Sequence, residues 1–96
     1  MRKISEFTSD NKAAWNASAT YHQATLDIEA CVTRLRDTQH GFFDSTFGVT
    51  LNTIGVQGKK AVQIGCNNGR EALSLAKMGA TSVLGIDQSD AFLTQA

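Results

Sequence analysis

The sequence has no proline, one tryptophan, one tyrosine and two cysteines, and its nine basic side chains are balanced by nine acidic ones. Each scarcity excludes something. Without proline, no helix is interrupted by a missing N–H, and there is no stiff Pro-rich linker between separate units. Cys31 and Cys66 match neither a zinc-ligand spacing nor a redox CxxC, and two cysteines are too few for a disulfide scaffold. The expectation is two reduced thiols in a cytoplasmic protein. A net charge of zero gives no bulk attraction to nucleic acid or to an anionic membrane. No apolar run approaches the ~18 residues of a membrane span. The start, MRKISEFTSD, lacks the apolar stretch of a secretory leader. His22 and His40 have no ligand-spaced partner and read as surface or helix-end residues, so no metal site is expected.

What is present is an ordinary globular composition, 42% hydrophobic over 96 residues. That excludes disorder and allows one domain at most. Its core should be thin, since a chain this short buries only about 60–65% of its unfolded surface.

The chain divides into two halves, residues 1–58 and 59–96. The first has no strand-like run. A helix is predicted from about Trp15 to Arg36, with Ile28, Cys31, Val32 and Leu35 as one apolar stripe and Gly41 as its stop. A second helix is predicted over Ser45–Ile54, capped by Asp44 or Ser45, although Gly48 inside it is unfavourable. The second half alternates. Lys60–Ile64 reads as a strand, GCNNG as a turn, and Arg70–Met78 as a helix with Ala72, Leu73, Leu75 and Ala76 on its apolar face. Ser82–Ile86 reads as a second strand, and Ser89 is placed to cap a helix through Phe92 and Leu93. This is a β-α-β-α order, so a parallel pair with a right-handed crossover is expected.

The chemistry concentrates in VQIGCNNG, residues 62–69, and in Asp87 at the end of the next strand. A glycine turn between strand and helix lets a ligand approach the main chain and leaves N–H groups at the helix start. An acid at the carboxyl end of the second strand can accept two hydrogen bonds from a ribose diol. Spacing then helps to choose the nucleotide. The dinucleotide pattern GxGxxG requires glycine at positions 65, 67 and 70, and only Gly65 is one. The pattern GxGxG is met at Gly65 and Gly69, with Asn67 as the residue best able to replace glycine in a left-handed conformation. No Lys-Ser or Lys-Thr pair follows the turn, which excludes a P-loop.

On these residues, KKAVQIGCNNGREALSLAKMGATSVLGIDQSDAFLTQA resembles the first β-α-β-α segment of class I S-adenosylmethionine-dependent methyltransferases. It is most similar to the small-molecule branch that includes the ubiquinone and menaquinone C-methylating enzymes. WNASATYH is similar to the N-terminal helical region that covers the cofactor as a lid in bacterial members. The resemblance implies the N-terminal part of a Rossmann-like α/β fold, with residues 1–58 as a helical lid or cap and 59–96 as the start of the S-adenosylmethionine-binding domain. It implies that Gly65, Cys66, Asn67 and Gly69 line the methionine and ribose portion, Asp87 holds the ribose hydroxyls, Gln88 lies beside the adenine and Tyr21 covers the pocket. Gln63 stands where the family has an acid that helps to hold the cofactor's ammonium, and an uncharged amide holds a cation less well.

A parallel sheet usually has about 5–6 strands, and two are legible here. The expectation is therefore an N-terminal fragment with an incomplete cofactor site, binding cofactor weakly and not turning over. Its exposed sheet edges, or an exchanged helix, should drive self-association. The implied activity of the parent protein is methyl transfer from S-adenosylmethionine to a small-molecule acceptor. Two alternatives stand beside it: an inactive module that binds a protein partner, and part of an NAD-binding dehydrogenase, against which the missing glycines weigh.

Overall fold

The computed structural model describes residues 1–96. Its architecture is mixed α/β: three helices, then a strand, a helix, a strand and a final helix.

Helix α1 spans Ile4–Thr25 and α2 spans Ile28–Asp37. The single helix expected from Trp15 to Arg36 is thus two. Leu26 and Asp27 are extended between them, and the Asp27 carboxylate accepts from the Ala30 N–H at 3.0 Å, starting a new helix. An Asp side chain offers the main chain a local acceptor that a continuous helix would not use. All four residues of the expected apolar stripe fall within α2, yet only half of the stripe is covered: Cys31 and Leu35 turn inward, whereas Ile28 and Val32 are exposed. Helix α2 ends at Asp37, before Gly41, because Lys77 reaches across. Its ammonium donates to the Leu35, Arg36 and Thr38 carbonyls, where a cation complements the negative helix end.

Helix α3 covers Ser45–Ile54, with the Asp44 carboxylate accepting from the Phe47 N–H at 2.8 Å. Gly48 has a reason to be there. A Cβ at that position would lie 2.2 Å from the His40 ring. His40 is buried beneath the helix and hydrogen-bonded to Asn52 at 3.3 Å, which corrects the expectation of a surface histidine.

Strands β1 (Lys60–Ile64) and β2 (Ser82–Ile86) have the predicted bounds and pair in parallel, Lys60 opposite Ser82 through Ile64 opposite Ile86. Helix α4 (Arg70–Lys77) is the crossover and α5 (Asp90–Gln95) follows β2. Ala61, Gln63, Val83 and Gly85 form the covered face of the sheet, on the α4 side; Val62, Ile64, Leu84 and Ile86 form an exposed apolar face. On α4 the inward position is Ser74, completely buried, while Leu73 is half-exposed, so the predicted apolar face is rotated. The reason is polar keying. Ser74 Oγ accepts from the Phe42 N–H at 2.8 Å and donates to the Arg70 carbonyl at 3.0 Å.

The two halves interlock at a second place. Asn16 Oδ1 of α1 accepts from the Ser89 hydroxyl at 2.6 Å, Gln95 of α5 donates to the Ala19 carbonyl at 2.8 Å, and the Trp15 and Phe92 rings meet edge to face. Only 10 of 96 residues are buried, which fits the thin core expected. No helix is long and apolar enough to cross a membrane.

Candidate functional site: the strand-end loop and its two cavities

The loop between β1 and α4 is left-handed at three alternate residues: Gly65 (φ 78°), Asn67 (φ 51°) and Gly69 (φ 84°). Asn67 is the one non-glycine residue of the chain with positive φ, as the glycine-replacement argument requires. The loop is tied to the neighbouring strand. The Gly65 and Cys66 N–H groups both donate to the Ile86 carbonyl, at 2.7 and 3.0 Å. The next N–H, that of Asn67, donates to Asp87 Oδ2 at 2.8 Å, while Asp87 Oδ1 accepts from the Ser89 N–H at 2.8 Å. The acid and the glycine loop therefore lie on one rim and touch. The N–H groups of Asn68, Arg70 and Glu71 have no partner within the chain.

Two cavities flank this loop. The strand-end cavity, about 520 Å³, is lined by Ile64, Gly65, Asn67, Asp87 and Gln88, with Trp15 as its wall. The helix-side cavity, about 510 Å³, lies between the loop, the start of α4 and the facing parts of α1 and α2. Trp15 and Asn67 line both.

The residues singled out from the sequence divide accordingly. Gly65, Asn67, Asp87 and Gln88 come together around the strand-end cavity. Gly69 caps α4 and lines neither. Cys66 is buried with its sulfur over β2: a Cβ on Gly85 would lie 2.8 Å from Sγ. Cys66 also lines the helix-side cavity; burial pushes its thiol's pKa up and the Asp87 carboxylate pushes it further, which disfavours the reactive thiolate. Gln63 turns toward α4, where its amide donates to Glu71 Oε1 at 3.4 Å and its own Oε1 is buried without a partner. Tyr21 is 70% exposed beside His22 and borders neither cavity, so it covers no pocket here. His22, one residue on, lines the helix-side cavity.

Sequence reasoning missed the roles of Asn16, which anchors the Ser89 cap, and of Arg34, Phe42 and Arg70. The two guanidinium groups both lie over the Phe42 ring, at 5.1 and 5.2 Å from its centroid. Arg34 also donates to the Gly41 and Phe42 carbonyls. No periodicity links these positions, because the turn around Phe42 is positioned by Ser74, 32 residues later.

No protein-family model matches this chain, no curated protein is detectably similar to it, and no solved structure matches it significantly.

Proposed function

We infer that this chain carries the nucleoside-holding part of an S-adenosylmethionine site and serves methyl transfer to a small-molecule acceptor. The observation that carries the reading is the 2.8 Å bond between the Asn67 N–H and Asp87, which joins the glycine loop and the acid on one rim. The residues fit the group in two respects. A Cβ on Gly65 would meet no atom within 4 Å, so the main chain there is open to a ligand. The Asp87 carboxylate uses two bonds on its own fold, and a carboxylate offers about four acceptor positions, which leaves room for a ribose diol.

When bound, the cofactor supplies a methyl group already activated on a sulfonium. The chain's task is then to bind, orient and exclude water. Asp87 grips the sugar, Gly65 and Asn67 admit the ligand close to the main chain, Gln88 borders the base and Trp15 walls off solvent. Gln63 adds nothing to that rim, since its amide is held by Glu71, so the affinity is weak.

Titration with S-adenosylhomocysteine, followed by amide NMR shifts, tests the reading. Shifts at Gly65, Asn67 and Gln88 are expected, with none from NAD. Asp87→Ala should abolish them. Saturable binding that survives this substitution unchanged, or binding of NAD alone, would refute the assignment.

A second reading, a module that binds protein, is favoured by one feature: the exposed face of Val62, Ile64, Leu84 and Ile86.

A further inference from the structure

The helix-side cavity has a chemistry of its own. Its volume, about 510 Å³, is within the range of small-molecule sites, roughly 300–1,000 Å³. Three aromatic rings, Trp15, Phe42 and Phe92, contribute apolar wall. The charged lining is formally balanced, Arg34 and Arg70 against Asp27 and Glu71, and both carboxylates keep their charge: Asp27 caps α2 with one oxygen, and Glu71 Oε1 accepts from Gln63. The cations differ in how far they are engaged. Arg34 spends two donor groups on main-chain carbonyls. The Arg70 guanidinium makes no hydrogen bond and no ion pair, and its contact is the Phe42 ring. An unspent, planar, bidentate donor at an aromatic-walled cavity matches a carboxylate attached to a flat apolar body.

We propose that the helix-side cavity binds a small aromatic carboxylate, whose carboxylate pairs with Arg70 and whose ring lies against Phe42, Phe92 and Trp15. The cavity shares Trp15 and Asn67 with the strand-end cavity, so its occupant adjoins the nucleoside rim. If the methyltransferase reading holds, and on that reading alone, this occupant is the methyl acceptor; the binding site itself does not depend on it.

The test uses the full chain and two probes of nearly equal shape, benzoate and its neutral amide, benzamide, followed by amide and indole NMR shifts. Benzoate should shift the Trp15 indole N–H and the main-chain amides of Phe42, Asn68 and Arg70. It should bind at least about tenfold more tightly than benzamide, the difference that one hydrogen bond to a charged group makes. Arg70→Gln, at an exposed position, should bring benzoate within about twofold of benzamide and leave the S-adenosylhomocysteine shifts at Gly65 and Gln88 in place. Equal affinity of the two probes for the native chain, shifts confined to other regions, or benzoate binding that Arg70→Gln does not weaken would each overturn the proposal. Benzoate binding without any response to S-adenosylhomocysteine supports this site while removing the methyltransferase reading, so the two failures are separable.

Discussion

Ser74 shows how much of this fold depends on single polar atoms. It is fully buried, and its hydroxyl is the acceptor for the Phe42 N–H. Ser74→Ala should cost about 1–3 kcal/mol, the penalty for leaving a buried donor unpaired, read as a lower midpoint of urea unfolding. Cys66 makes a contrasting prediction. Because its pKa is raised by burial and then by Asp87, the native state keeps the neutral thiol and reacts slowly. Iodoacetamide should label Cys31, which is only partly covered, well before Cys66, as mass spectrometry would record. The linkage sign follows: a raised native pKa gives stability that is intact below the ordinary thiol range and is lost as pH climbs through the native value. At this scale the sequence was legible where a residue acts on its immediate neighbours. Asp44 and Ser89 cap helices as expected, and Asn67 takes the left-handed position. His40 under Gly48, Lys77 on the end of α2 and Ser74 under Phe42 join residues that no local pattern connects, so they were invisible.

Among the elements, the strands, α3 and the β-α-β order came out as read, because alternation and glycine turns are local signals. The start of α1 did not. Residues 4–14 carry no apolar stripe, and the helix there projects with Ile4 84% and Phe7 53% exposed. Near its N-terminus it is held by its own pairs: Arg2 with Asp10, Arg2 over the Phe7 ring at 4.4 Å, and the Lys3 N–H on Glu6. Exposed pairs of this kind contribute little, about 0–1 kcal/mol each. Its second half is docked, by Asn16 on Ser89 and Gln95 on the Ala19 carbonyl. Hydrogen exchange should therefore divide α1 near Trp15, with amides before it exchanging far faster than those of Ala17–Thr20. Uniform protection along the helix would show an additional cover over its first turns.

The molecule as a whole is open. Its radius of gyration is 15.2 Å, against about 12.5 Å for a compact chain of this length. It exposes 6700 Å², where a monomer of this size exposes roughly 5,400 Å². The surplus includes the uncovered sheet face, with Ile64 84% exposed. A standard interface takes about 800 Å² from each partner, and this face is where the expected self-association can be tested. Sedimentation should show concentration-dependent dimers, and Ile64→Lys, which places a charge on that face, should return them to monomer. A monomer at all concentrations would refute self-association through this face. Such global openness was legible only as a shortage of strands, since no sequence pattern states which faces stay uncovered.

Trp15 has one more consequence. It is the only indole of the chain and stands in the partition between two chambers. Filling either chamber changes the polarity around that ring, and a guest in each changes it twice over. The colour of its emission thus becomes a built-in gauge of occupancy, read without any attached dye.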